Sequence, residues 1–148
     1  LANEQVVVVL CDSGISSLAD LKGKTVAVQS DSSAEAALEE NPDLVKTFRE
    51  LITASDYNSA LMDLEAGGVD AVAMDEVVAD YRIEKKGEKQ FVYLEEKLAE
   101  EEYGVGFLLG NDALRDKVQE TLEEMAKDGT MKGISEEWFG KDITILGK

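Results

Sequence analysis

Histidine is absent from the 148 residues, and cysteine and proline occur once each. Without histidine the chain lacks the commonest general base and the commonest transition-metal ligand, so no Ser-His triad can be assembled within it. The single cysteine, Cys11, allows neither an intramolecular disulfide nor a thiolate metal cluster. Placed just after Val6 to Val9, it reads as a small buried apolar residue. Positive charge is also scarce, with 15 Lys and Arg against 32 Asp and Glu and a formal net charge of -17. Such a surface repels a phosphate backbone, which makes nucleic acid a poor partner. No run approaches the roughly 20 apolar residues that span a bilayer, and no basic, apolar and small-residue series marks a secretory signal. The chain opens at Leu1 without methionine. It therefore reads as a processed or excised piece, in which missing targeting signals carry no weight.

What is present suits an ordinary folded domain: 44% hydrophobic residues in a length sufficient to bury a core unaided. The run from Gln5 to Leu10 has no polar alternation, as expected of a strand covered on both faces in a parallel sheet. Lys24 to Gln29 predicts a second strand, and Ser32 and Glu35 have capping-box spacing at the start of a helix. After the breaker Pro42, Thr47 to Ile52 predicts a third strand. Tyr57, Ala60, Leu61 and Leu64 then recur at helical spacing behind a cap at Ser55, and Gly67 and Gly68 end that helix. Val69 to Met74 reads as a fourth strand, Asp75 to Lys86 as a helix capped by Asp75, and Gln90 to Leu94 as a fifth strand. Alternation of this kind favours an α/β fold with a parallel sheet.

Beyond this point the texture changes. Tyr103 to Leu109 predicts an apolar strand, Leu114, Val118, Leu122 and Met125 form one helical stripe closed by Gly129, and a last short helix carries Trp138 and Phe139 before Gly140. The acidic stretch Glu95 to Glu102 is the one candidate connector between two parts.

In an open parallel sheet, ligands bind where strand ends meet helix N-termini, because unpaired amides and the helix dipole point there. Two such junctions stand out: Gln29 to Ser33, where amides and the hydroxyls of Ser32 and Ser33 suit a carboxylate, and Asp75, whose carboxylate suits an ammonium group. Each has a structural alternative, since Ser32 and Asp75 are also ordinary helix caps. Together they suit a zwitterion.

The stretch Leu18-Ala-Asp-Leu-Lys-Gly-Lys-Thr-Val-Ala-Val-Gln29 followed by Ser32-Ser33 resembles the polar amino-acid family of bacterial extracellular solute-binding proteins, the receptors of ABC importers. So do Gly68-Val-Asp-Ala-Val-Ala-Met-Asp75 and the tail blocks Tyr103-Gly-Val-Gly-Phe107, Leu114-Arg-Asp-Lys-Val118, Asp128-Gly-Thr130 and Trp138-Phe-Gly140. The resemblance implies a two-lobed, type II periplasmic-binding-protein fold closing on a free amino acid. Residues 1–10 would be a crossover strand, 11–100 the second ligand-binding lobe, and 101–148 the second crossover, near Glu101 to Phe107, with the C-terminal part of the first lobe. It further implies that Asp75 holds the ligand's α-amino group, that Ser32, with Ser33 beside it, lies at the anion-binding helix start, and that Gln29 touches the ligand side chain. Many relatives carry glycine where this chain has Asp31. The family's N-terminal portion, with its carboxylate-clamping arginine, is not in this sequence.

The function implied is the substrate-binding component of an amino-acid ABC transporter, extracytoplasmic, partnered by a membrane permease, with no cofactor and no metal. A ligand-sensing domain of a membrane receptor and, further off, a dehydratase of the same fold are the alternatives. For an enzyme, only carboxylates, lysines or tyrosines remain as proton-transfer groups. If residues 108–148 complete a lobe whose other elements are absent, residues from Phe107 to Phe139 lose packing partners and a homo-oligomer is expected.

Overall fold

The computed structural model describes residues 1–86 and 90–147. Six strands form one sheet: β1 (Ala2–Leu10), β2 (Thr25–Gln29), β3 (Glu50–Ala54), β4 (Ala71–Asp75), β5 (Phe91–Tyr93) and β6 (Ala99–Glu102). The order is β3-β2-β4-β1-β5, with β6 also pairing to β1. The chain divides into two compact units, one of residues 4–100 and one of residues 1–3 with 101–148.

In the larger unit, β2 runs parallel to both β3 and β4, as the alternation of strands and helices predicts. β1 does not: it pairs antiparallel with β4 and with β5. A run that is apolar on both faces carries no signal of strand direction, and Val6 to Val9 are indeed fully buried. Their side chains alternate between two cores. Val7 and Val9 pack with Val26, Val28 and Leu38 on one face, Val6 and Val8 with Met74, Leu61 and Leu64 on the other.

Helices α1 (Ser33–Glu39), α2 (Pro42–Val45), α3 (Tyr57–Glu65) and α4 (Glu76–Lys86) intervene between the strands. Pro42 opens α2 rather than merely breaking the chain, since a residue in the first turn needs no amide donor. The third strand begins three residues later than Thr47, and its following helix is capped by Asp56, not Ser55: the Asp56 carboxylate accepts a bond from the Ser59 amide at 3.0 Å. Asp70 pins the register of β2 against β4 by accepting a bond from the Thr25 amide at 2.8 Å. Cys11 proves exposed, because β1 ends at Leu10 and the cysteine begins the turn after it.

The boundary between the two units falls after Glu100, within the acidic stretch from Glu95 to Glu102. Leu98 is buried, the Glu96 carboxylate accepts a bond from the Leu18 amide at 2.7 Å, and the last four residues are β6.

The smaller unit holds α5 (Asp112–Lys127) and α6 (Thr130–Phe139), joined through Gly129 at φ 84°. Ser135 fastens α6 to the tail, its hydroxyl accepting from the Ile143 amide at 3.0 Å and donating to the Lys141 carbonyl at 2.8 Å. No regular strand forms from Tyr103 to Leu108. Gly104 and Gly106 supply no side chain to pack, and Val105 and Leu108 stand exposed. Apolar side chains remain open to solvent along this unit, with Leu109 100% and Trp138 76% accessible. Among the described residues, no helix is long and apolar enough to cross a membrane.

Candidate binding site

Parallel β2, β3 and β4 bring their C-terminal ends to one edge of the sheet, and antiparallel β1 brings its early residues to that same edge. Gln29 ends β2 opposite Ala54, Asp75 ends β4, and Gln5 of β1 lies directly opposite Asp75. Three separated loops and one strand thus converge within the larger unit. The geometry is that of a ligand edge in an open α/β sheet.

At the first junction, Ser32 is the N-cap of α1: its Oγ accepts from the Glu35 amide at 3.1 Å and donates to the Gln29 carbonyl at 2.7 Å. The Glu35 carboxylate reaches back one residue further than a standard capping box, accepting from the Asp31 amide at 2.7 Å. Asp31 has φ 56°, a left-handed conformation that glycine adopts without cost and aspartate tolerates better than most residues. This backbone accounts for glycine being acceptable at the position.

At the second junction, Asp75 is half-buried and its carboxylate is held from both sides. The Gln5 side-chain amide donates to Oδ1 at 2.8 Å, and the Tyr57 hydroxyl donates to Oδ2 at 3.2 Å. Both donors are neutral, so they orient the carboxylate without cancelling its charge. The flanking acids are treated differently. Lys97 Nζ lies 2.5 Å from Glu4 and 3.9 Å from Glu76, which concentrates the local positive charge on the neighbours of Gln5 and Asp75.

The phenol of Tyr57 is pushed up to about 12, chiefly by burial, with the Asp75 charge acting in the same direction. It therefore stays protonated, as a donor, across the whole neutral range. Gln5 and Tyr57 are contacts of Asp75 that sequence reading passes over, the one as the first residue of an apolar run, the other as part of a helical stripe. The available signal was chemical: an amide bordering four valines, and a tyrosine three residues after a strand end. Among the described residues no group of three or more Cys, Asp or Glu is placed to hold a metal ion.

The model of a family described as ABC transporter, phosphonate, periplasmic substrate-binding protein matches residues 2–144. The L-cystine-binding protein TcyJ of Escherichia coli K12 is 34% identical over 125 residues, 84% of this chain and 45% of that protein. A substrate-binding protein of an ABC uptake transporter from Streptococcus pneumoniae, solved with bound histidine, superposes with a TM-score of 0.88 at 33% identity, covering 100% of this chain and 61% of that one. Tv2483, solved bound to L-arginine, gives 0.84 at 27% identity, covering 100% and 60%. The fold is thus the α/β fold of the type II amino-acid-binding proteins. The chain spans about half the length of the curated relatives it matches. With a family model covering nearly all of its length, the chain belongs to the periplasmic substrate-binding proteins of ABC transporters.

Proposed function

We propose that this chain contributes one face of a binding site for a free α-amino acid, in an extracytoplasmic receptor that delivers its ligand unaltered to the permease of an ABC importer. The observation that carries the reading is the carboxylate of Asp75, oriented by Gln5 and Tyr57 on the same sheet edge as the helix start at Ser32. A site with one anionic and one donor-rich end is complementary to a zwitterion. A simple alkylphosphonate, of the class the family description mentions, carries no ammonium group to match Asp75 and would meet its negative charge instead. Relatives named for cystine and arginine support the same side of this choice.

In this reading Ser32 and Ser33 receive the ligand carboxylate, Gln29 meets its side chain, and Asp75 pairs with its α-ammonium. In this reading the ligand is held and released without reaction. The test is native mass spectrometry of the full-length gene product mixed with an equimolar pool of free L-amino acids. The expected result is a mass gain of one amino acid, recovered unaltered on denaturation. Absence of any adduct, or recovery of a modified compound, would contradict the reading.

The 148-residue chain on its own is expected to self-associate. Leu108, Leu109, Leu114 and Trp138 are half or more exposed, and covering apolar surface contributes about 25 cal/mol per Å². Sedimentation velocity at micromolar protein checks this: a dimer or larger species is expected, and glutamate at Leu109 and Trp138 should shift it toward monomer. A monodisperse monomer of the unaltered chain would count against it.

A further inference from the structure

Tyr57 reaches the Asp75 end of the site from the core. It is the first residue of α3, and the Asp56 cap fixes the turn from which it springs by accepting bonds from the Ser59 amide and hydroxyl, each at 3.0 Å. Its ring is partly buried against the core cluster that contains Leu61, Leu64 and Met74. Packing therefore anchors the ring, while the hydroxyl donates to Asp75 Oδ2 at 3.2 Å. A residue that only filled the core would be served equally well by phenylalanine.

We propose that Tyr57 is a positioning residue, whose hydroxyl holds the Asp75 carboxylate so that the ammonium end of the site is ordered before ligand arrives. The inference rests on the amino-acid reading of the site. Its physical content is pre-organisation: a carboxylate already ordered by Gln5 and Tyr57 gives up less rotational freedom when an ammonium binds. Because the donor is a neutral phenol that stays protonated, the ordering does not reduce the charge available to the ligand.

The experiment is a double-mutant cycle in the full-length gene product, titrated calorimetrically with L-arginine, L-histidine and L-cystine as probes at up to millimolar concentration. Tyr57→Phe should lower affinity about fivefold to tenfold, less than the net worth of one hydrogen bond to a charged group, because the bond to Asp75 is already made before ligand arrives and only its ordering effect is lost. In the Asp75→Asn background the same substitution should change affinity by less than about twofold, since interacting residues do not act additively. Unfolding of Tyr57→Phe in urea should stay cooperative, with its midpoint lowered only slightly by the loss of one part-buried hydrogen bond. An equal loss in both backgrounds, or no loss in either, would overturn the role assigned to Tyr57 while leaving the amino-acid reading standing. Failure of the wild-type protein to bind any member of the pool of free L-amino acids would overturn both.

Discussion

Replacing Asp75 with alanine is expected to weaken amino-acid binding by about 2–5 kcal/mol, the range for removing one partner of a buried, hydrogen-bonded charge pair. The expectation follows from where the carboxylate sits. It ends β4, is half-buried, and receives Gln5 and Tyr57 on its two oxygens. An ammonium group brought against it is shielded from water by that surrounding, and its interaction is worth more there than on an open surface. Alanine removes the charge and leaves two donors turned toward an empty position, so the loss includes the cost of their lost acceptor. Calorimetry of Asp75→Ala beside the wild-type protein measures it. Gln29→Ala offers the contrast, because a residue that meets the side chain should reorder preference among amino acids more than it lowers affinity for all of them.

Leu38→Ala should cost about 2–5 kcal/mol of folding stability, read from urea unfolding followed by circular dichroism. Leu38 is fully buried in the cluster formed by Val7, Val26, Val28 and Leu21. Its helix, α1, has only seven residues. So short a segment has little helical stability of its own and depends on the packing of Ala34, Ala37 and Leu38 against the sheet. The same helix begins at Ser32, so loosening it disturbs the donor end of the site as well. Met62→Ala on α3 is the control, since Met62 is 65% exposed and should move stability by less than about 0.5 kcal/mol. Equal effects of the two substitutions would mean that the core is not organised around this cluster.

Much of the architecture could be read from residue pattern because apolar runs and helix starts are local signals. The four valines of β1, the strand from Thr25 to Gln29 and the cap at Ser32 all lie where their chemistry predicts. Direction was not legible in β1, since a strand buried on both faces looks the same in either orientation. That hidden direction also concealed Gln5. Only an antiparallel β1 sets Gln5 opposite Asp75 at the end of β4. Ser55 and Asp56 are both good caps, and the choice fell to Asp56 because its side chain reaches Ser59. In the tail, apolar composition from Tyr103 to Leu109 suggested a strand, yet glycines at 104 and 106 and exposed neighbours leave no sheet face to bury. Cys11 was misplaced by one step of the chain, on the turn side of the strand end. The contact of Tyr57 with Asp75 depends on two segments meeting in space, which spacing along a sequence does not encode.

The most direct measurement is a pair of calorimetric titrations of the full-length gene product, one with free L-amino acids and one with a simple alkylphosphonate. If Asp75 is the ammonium-binding group, at least one amino acid binds with a dissociation constant of about a micromolar or tighter, and the phosphonate gives no heat of binding. Saturable phosphonate binding with no response to any amino acid would contradict the account.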